Sequence, residues 1–364
     1  MFGNRHVKAL KPYSLVTHEA WERQGEEGVL KLDWNESTIP PSPKVKESIE
    51  MFLKSGNMHW YPDVNNALFL EELVKYSGLP LENIQYFASS DSLHEYIVRA
   101  FIEPDDRIAI VAPTYDNFRA VVESNGALTE YYHLDKNFKL PPDGFESYLE
   151  LYQPKITYIC NPNNPTGTMY DKEFLEMIIS RFQNILFIVD EAYYEFVGVS
   201  SKDLVLDYDN LIISRTFSKA FGLASFRVGY ALSSQHNIKM LSKVRNPKNI
   251  STFSQIAAIS ALQDLEYMRN YVNQVNEAKA MFSRGLADLG IKSSGQGGNF
   301  LLLNIDPSKK REFISYLEAK NVFVRDYGHV IGMEGYVRIT IGTTHQMEYV
   351  LGLIKHKVTD GDFA

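Results

Sequence analysis

The sequence predicts an α/β protein built on a mostly parallel sheet, and three observations support this class. Near-continuous apolar runs of strand length recur between residues 84 and 213. Helical segments lie between them, as expected where helices cover both faces of a parallel sheet. Polar segments rich in reactive side chains follow four of these runs directly. In such sheets, ligands bind beyond the carboxyl ends of the strands.

Length and composition are those of an ordinary globular protein. The 364 residues can bury a large core and favour two domains. A formal net charge of −8 gives no basic surface, so we expect no nucleic-acid partner. The single cysteine, Cys160, excludes an intramolecular disulfide and fits a reducing compartment. Without a signal-peptide-like N-terminus or a membrane-length apolar run, we expect a cytoplasmic protein with no membrane partner.

The elements of the sheet follow a loop-rich start. Residues 1–40 show no periodicity, and paired prolines end that stretch. Helices are predicted over 43–54, 66–76 and 93–102, the last with several N-cap candidates at its start. The predicted strands are residues 84–88, 107–111, 156–160, 185–189 and 211–213.

The pattern changes after Asn246-Pro247 to that of a smaller α+β unit. Residues 252–289 predict a long helical region. The later predicted elements are a strand at 300–304, a helix at 309–320, strands at 322–325 and 336–341, and a helix at 346–357. We therefore predict a large domain over 41–248 and a small domain formed by 1–40 and 249–364.

Lys219 lies just beyond the apolar run 211–213. A lysine amine in this position can condense with an aldehyde. Nearby Thr216, Ser218 and Arg227 can hold a phosphate, the arginine through charge-assisted bonds. Taken alone, the segment also fits a surface lysine and arginine beside a strand.

Three more polar residues follow predicted strands and suit a pyridine aldehyde phosphate bound to a lysine. Asp190 can keep the ring nitrogen protonated, which makes the ring an electron sink. Asn164, in a proline-rich turn, and Tyr193 can both bond the phenolic oxygen. The structural alternatives are an N-cap aspartate, a plain Asn-Pro turn and a core tyrosine.

Further candidates lie at a helix start and in the late strands. Tyr115 can stack on a ring, while Ser90 and Asp91 offer backbone N–H groups for a phosphate. The structural alternatives are a half-buried aromatic side chain for Tyr115 and ordinary helix capping for Ser90 and Asp91. Arg325 and Arg338 are placed in strands, where a buried arginine needs an anion from the protein or from a substrate.

The histidines show no spacing typical of metal ligands. His94, His133 and His329 are therefore interpreted as structural, and no metal is predicted.

Together these motifs resemble the fold type I pyridoxal-phosphate (PLP) aminotransferases, specifically the class I/II histidinol-phosphate aminotransferase group. The resemblance runs from about Tyr13 to the end of the chain. It implies an aspartate-aminotransferase-like fold with a seven-stranded, mostly parallel sheet, and a homodimer. The segments that carry it are Tyr61–Asp63, Asn161–Gly167, Asp190–Tyr193, Arg215–Gly229, Val324–Asp326 and Val337–Thr340.

The resemblance also implies a role for each candidate. Lys219 would bond covalently to the cofactor and move the proton, with Asp190 on the ring nitrogen. Asn164 and Tyr193 would hold the phenolic oxygen, and Tyr115 would stack on the ring. The phosphate would be held by Ser90, Asp91, Thr216, Ser218, Arg227 and, from the neighbouring subunit, Tyr61. Arg338 would take the carboxylate of glutamate or 2-oxoglutarate, and Arg325, with Tyr13, the anion of the second substrate.

One departure affects the substrate. The family signature Asn-Glu-Asn-Pro-Tyr-Gly-Pro, which borders the substrate pocket, reads Asn35-Glu36-Ser37-Thr38-Ile39-Pro40-Pro41 here. We therefore expect Asn35 at the substrate, and either histidinol phosphate or another phosphorylated ketone or amino alcohol, such as dihydroxyacetone phosphate in a surface-glycan pathway. A PLP-dependent phospho-amino-acid decarboxylase is the main alternative, and a DNA-binding regulator that uses this fold as a ligand sensor is a remote one.

Overall fold

The computed structural model describes residues 2–12, 19–23, 25–330 and 332–358. Within these ranges, no helix is long and apolar enough to cross a membrane. The strands are β1 (Leu30–Lys31), β2 (Ile84–Phe87), β3 (Arg107–Ala112), β4 (Leu128–His133), β5 (Ile156–Cys160), β6 (Leu186–Asp190), β7 (Leu211–Thr216), β8 (Gly229–Ser233), β9 (Lys292–Ser294), β10 (Phe300–Asn304), β11 (Val322–Phe323), β12 (Arg325–Asp326) and β13 (Tyr336–Thr340). The helices are α1 (Arg5–Ala9), α2 (Glu19–Glu22), α3 (Pro43–Ser55), α4 (Ala67–Ser77), α5 (Ser90–Phe101), α6 (Asn117–Ser124), α7 (Pro142–Tyr152), α8 (Lys172–Arg181), α9 (Gln235–Val244), α10 (Thr252–Leu262), α11 (Leu265–Asp288), α12 (Lys310–Glu318) and α13 (Thr344–Lys357).

A seven-stranded sheet in the order β2-β8-β7-β6-β5-β3-β4 forms the centre of the fold. The neighbours from β7 to β4 pair in parallel, and β8 runs antiparallel to β7 and β2. Both faces are covered: Val189 and Ile213 pack in one apolar cluster, and Ile188 and Ile212 pack in the other. The predicted α/β class and its mostly parallel sheet are confirmed.

The register of the central strands brings three loops to one edge of the sheet. Asp190 at the end of β6 pairs with Cys160 of β5 and with Ser214 of β7. Because these strands are parallel and in step, the segments that follow them leave the sheet side by side. The segment after β7 carries Lys219.

Two strands of this sheet were not predicted. β4 lies at the edge and alternates exposed with half-buried residues, so it has no apolar run to detect. β8 is fully buried, and it directly follows the lysine segment that we treated as a loop motif. The helical region predicted over 252–289 is two helices, because α10 ends at Leu262 and α11 begins at Leu265.

The C-terminal part forms a second, antiparallel sheet in the order β12-β13-β10-β9. β1 pairs in parallel with β11, and Leu32 accepts a backbone hydrogen bond from Thr340. Residues 30–32 therefore pack against the C-terminal part. The start of the chain does not, because α1 packs against α6 and the Lys11 carbonyl accepts from Arg119 Nη2. The exact domain boundaries at 40/41 and 248/249 stay a prediction.

A buried ion pair joins Arg215 on β7 to Glu191, the residue that directly follows β6. Arg215 is 1% exposed and donates from Nε and Nη2 to Glu191 Oε2, at 3.0 and 2.8 Å. Its Nη1 donates to the Tyr230 hydroxyl at 3.2 Å, and its guanidinium lies 3.6 Å from the centre of the Tyr194 ring. Burial raises the pKa of neighbouring Glu195 to about 8, while the charge of Arg215 opposes that rise. One cation thus compensates the acidic groups of this cluster.

We predict that Arg215→Met lowers the stability of the fold by about 3–5 kcal/mol, because it leaves Glu191 as an uncompensated buried charge. Urea denaturation of the apoprotein measures the loss. The double variant Arg215→Met/Glu191→Leu removes both charges and should recover much of it. If the double variant were less stable than Arg215→Met, the ion pair would not be the cause.

Candidate active site

A cavity of about 810 Å3 opens at the carboxyl ends of the central strands. It is bounded by the large sheet on one side and by β12 and β13 on the other. Twelve of the predicted site residues line it: Ser90, Asp91, Tyr115, Asn164, Asp190, Tyr193, Thr216, Ser218, Lys219, Arg227, Arg325 and Arg338.

Lys219 presents its amine to this cavity. Its Nζ donates to the Trp34 carbonyl at 2.8 Å and lies 5.8 Å from the centre of the Tyr193 ring. Burial, together with the positive charge of Arg338, lowers the pKa of Lys219 to about 8. Near neutral pH the neutral fraction is therefore much larger than for an ordinary lysine, and the neutral amine is the nucleophilic form.

Asp190 lines the cavity and is 3% exposed. Its Oδ2 accepts from the Tyr158 hydroxyl at 2.8 Å, and its Oδ1 accepts from the Ala192 N–H at 3.0 Å. Burial raises the pKa of Asp190. Both of these donors are neutral, so a cationic ligand atom would stabilise the carboxylate.

The N-terminus of α5 forms the anion-binding side of the cavity. Ser90 and Asp91 lie in its first turn, where backbone N–H groups lack helical partners and the helix dipole is positive. Thr216 Oγ1 donates to Ser218 Oγ at 3.0 Å on the other side. A Cβ atom at Gly229 would lie 2.6 Å from the Ser90 nitrogen, so glycine permits this close approach.

Asp91 organises the side chains around this helix start. Its carboxylate accepts from Tyr115 Oη at 3.0 Å and from Asn117 Nδ2 at 3.3 Å, and it pairs with Arg227 Nη2 at 2.8 Å. The Tyr115 ring and the Arg227 guanidinium are thus tied to one carboxylate.

The side-chain carbonyl oxygen of Asn164 accepts two hydrogen bonds, which fix the orientation of the amide. Arg338 Nη1 donates to Asn164 Oδ1, and the Tyr327 hydroxyl donates to the same atom at 3.3 Å. The amide Nδ2 is therefore available as a donor on the cavity side. Tyr193 is oriented separately, because Asn35 Nδ2 donates to its hydroxyl at 3.0 Å.

Arg325 and Arg338 are register partners on β12 and β13. They are 6% and 4% exposed and both line the cavity. Arg338 Nη2 donates to the Asp33 carbonyl, while its Nε is buried without a hydrogen bond. Within the described ranges, neither guanidinium pairs with a carboxylate. Two adjacent buried cations of this kind require an anionic ligand.

Two predicted residues within the described ranges are not on the cavity wall. Asn35 is 0% exposed, and its side chain donates to the Tyr193 hydroxyl and accepts from the Thr340 hydroxyl. A contact of Asn35 with substrate stays a prediction. Tyr61 is 79% exposed on the surface, with Lys248 Nζ 4.7 Å from its ring centre. Tyr13 lies outside the described residues.

The structure adds wall residues that sequence reasoning missed. Most of them are neighbours of residues that were predicted, which is the signal that could have found them; Trp21 has no such neighbour. Trp34 and Glu36 flank Asn35, Asn117 follows Tyr115 by two positions, and Tyr327 follows Arg325 by two. The others are Trp21, Asp33, Cys160, Ala192, Ala224 and Ser225.

These groups fit PLP. The cavity offers an amine of lowered pKa for the aldehyde, a buried carboxylate for the ring nitrogen, and a helix start with two hydroxyls for the phosphate. Asn164 Nδ2 and the Tyr193 hydroxyl suit the phenolic oxygen. Among the described residues, no cluster of three histidine, cysteine, aspartate or glutamate side chains could hold a metal ion.

Comparison with known proteins agrees with this geometry. The aminotransferase class I and II family profile matches residues 27–354. A dihydroxyacetone phosphate transaminase of Campylobacter jejuni is 44% identical over 96% of this chain and 95% of its own length. A histidinol-phosphate aminotransferase of Thermoanaerobacter is 33% identical, over 89% of this chain and 92% of its own.

Among solved structures, a histidinol-phosphate aminotransferase of Sinorhizobium meliloti in complex with PLP superposes with a TM-score of 0.88. It is 25% identical, and the match covers 98% of each chain. Fold, cavity and sequence likeness thus agree on one family. The chain belongs to the class I and II aminotransferases and is a PLP-dependent transaminase acting on small molecules.

Proposed function

We propose that this transaminase moves an amino group between glutamate and a small phosphorylated ketone, for which dihydroxyacetone phosphate is the leading candidate. Support for this substrate comes from the 44% identity, over nearly the whole of both chains, to a transaminase named for it. Glutamate and 2-oxoglutarate are the proposed amino donor and its product.

The paired arginines carry this proposal. Arg325 and Arg338 project into the cavity from neighbouring strands, and no carboxylate of the described residues neutralises them. Glutamate brings a second carboxylate, and a phosphorylated ketone brings a phosphate, so either substrate supplies the missing anion. We assign the substrate carboxylate to Arg338 and the phosphate to Arg325.

The residues divide the work of the reaction as follows. PLP supplies an aldehyde that bonds to amines and a protonated ring that accepts electrons. Lys219 would hold the cofactor through its aldehyde and would move a proton on its neutral amine. Asp190 would keep the ring nitrogen protonated, and Asn164 and Tyr193 would hold the phenolic oxygen. The α5 start, Thr216, Ser218 and Arg227 would anchor the phosphate.

Half-reactions test the proposal directly. Mixing the holoprotein with glutamate should convert the PLP absorbance to that of the pyridoxamine form, because the amino group stays on the cofactor. Dihydroxyacetone phosphate should then restore the PLP spectrum. Restoration by the keto form of histidinol phosphate alone would replace the proposed acceptor. No conversion by glutamate, with carbon dioxide released from a phospho-amino acid, would establish the decarboxylase alternative.

The proposed assembly is a homodimer with a two-fold axis, in which Tyr61 of one subunit reaches the cofactor phosphate of the other. Its support is the 79% exposure of Tyr61 within one chain, where it is not among the residues that line its own cavity. The proposed location is the cytoplasm, because a single cysteine fits a reducing compartment.

The pKa of Lys219 gives a pH prediction. Because the amine must lose its proton before it attacks, covalent bond formation between apoprotein and PLP should speed up as pH rises through about 8. Stopped-flow absorbance measures the rate.

Arg338→Leu removes a charge that lowers this pKa, so the midpoint of the pH dependence should move to higher pH. Arg325→Leu removes the other cavity arginine, which is not among the main causes of this shift, and should move the midpoint much less. Lys219→Ala should fold and form no covalent chromophore.

Substrate discrimination should separate the two arginines. Arg325→Ala should reduce kcat/KM for the phosphorylated acceptor by roughly 10- to 100-fold, the loss expected for a bond to a charged group, and reduce it less for glutamate. Arg338→Ala should show the opposite order. Steady-state kinetics with each substrate varied in turn measures both. Equal losses for both substrates in both variants would refute the assigned division.

Subunit mixing tests the role of Tyr61. Tyr61→Ala and Lys219→Ala homodimers should both be impaired. In a hybrid dimer, one site has an intact Lys219 and receives an intact Tyr61 from the other subunit. Random reassociation should therefore restore about one quarter of the sites. If mixing restored no activity although hybrids formed, Tyr61 would not serve the neighbouring subunit.

A further inference from the structure

His94 is the most deeply buried histidine near the site, and the sequence suggested only a structural role for it. It lies on α5, is 0% exposed, and packs edge-on against Phe118 and Tyr158, with ring centres 5.5 and 5.7 Å away. Neither ring nitrogen has a hydrogen-bond partner among the described residues. Leaving two polar atoms unsatisfied in an apolar environment lowers stability, so this placement calls for a compensating role.

The nearest acid is Asp190. His94 Nε2 lies 3.8 Å from Asp190 Oδ2, the same oxygen that accepts the 2.8 Å hydrogen bond from Tyr158. This separation permits electrostatic attraction but is longer than a hydrogen bond. In proteins without their ligand, functional hydrogen bonds are often long and shorten in the complex. His94 and Tyr158 therefore approach one carboxylate oxygen from two different elements.

Asp190 needs such support because its surroundings oppose its charge. Burial raises the pKa of Asp190, and the negative charge of Asp91 on α5 raises it further. His94, the Tyr158 hydroxyl and the Ala192 N–H all act in the other direction. A carboxylate binds a protonated ring nitrogen well only while it is ionised.

We propose that His94 is a positioning residue for the cofactor: through Nε2 it holds Asp190 in the ionised form and orientation that bind the pyridine nitrogen. This inference rests on the proposed role of Asp190. His94 is not among the residues that line the cavity, whereas Asp190 is, so His94 would act on the cofactor through Asp190. Its contribution should therefore depend on whether the bound ring has a nitrogen at that position.

A binding experiment tests this dependence without measuring turnover. Dissociation constants for the apoprotein are determined with PLP and with its deaza analogue, in which carbon replaces the ring nitrogen. The wild-type protein should prefer PLP. His94→Phe should reduce that preference about tenfold, because PLP binding weakens while analogue binding is retained. His94→Gln, whose amide can donate from a similar position, should recover most of the preference.

Two further variants distinguish an error in the proposed role of Asp190 from an error in the proposed role of His94. Asp190→Asn should abolish the preference for PLP, and if it did not, the proposed role of Asp190 would be wrong. Phe118→Leu loosens the packing around His94 but keeps the imidazole, and should leave the preference unchanged. If Asp190→Asn abolished the preference while His94→Phe weakened both ligands equally, His94 would have a packing role only.

A second measurement does not depend on any variant folding. In wild-type protein with isotope-labelled histidine, the ring nitrogen resonances of His94 should shift when PLP binds. The deaza analogue should produce a much smaller shift, because it leaves Asp190 without a cationic partner. Identical shifts with both ligands would overturn the proposal.

Discussion

The register of the central parallel strands determines where the chemistry of this protein takes place. Asp190 ends the middle strand of the seven, in step with Cys160 on one side and Ser214 on the other. Three loops must therefore emerge at one edge of the sheet, carrying Asn164, Tyr193 and Lys219 within reach of one cavity. A shift of one residue in this pairing would turn each side chain to the opposite face and dismantle the site.

Asp190 and Glu191 are adjacent in the chain, but one carboxylate faces the cavity and the other is paired in the core. Glu191 directly follows Asp190, yet it pairs with Arg215 in the core, while Asp190 faces the cavity with neutral donors. The first carboxylate is fully compensated and contributes to folding. The second keeps unsatisfied attraction for a cation, which makes it useful for binding a ligand.

Local patterns predicted the buried strands and the residues at their ends, because an apolar run and the polar residue after it are adjacent in the chain. The same patterns could not reveal β4, whose exposed edge lacks an apolar run, or the break between α10 and α11. Local sequence patterns also could not predict contacts between segments that are distant in the chain. The approach of His94 to Asp190 and the bond from Asn35 to Tyr193 depend on tertiary packing, which short-range spacing does not encode.

If Arg338 binds the substrate carboxylate as proposed, substrate binding would change the reactivity of Lys219. It donates to Asn164 and to the Asp33 carbonyl, and its charge helps to lower the pKa of Lys219. A substrate carboxylate at Arg338 would offset that charge, and the pKa of Lys219 would rise. A larger fraction of the amine is therefore neutral while Arg338 has no anionic partner. With the proposed carboxylate in place, the amine would become a stronger base, which suits the proton transfer that we propose for Lys219.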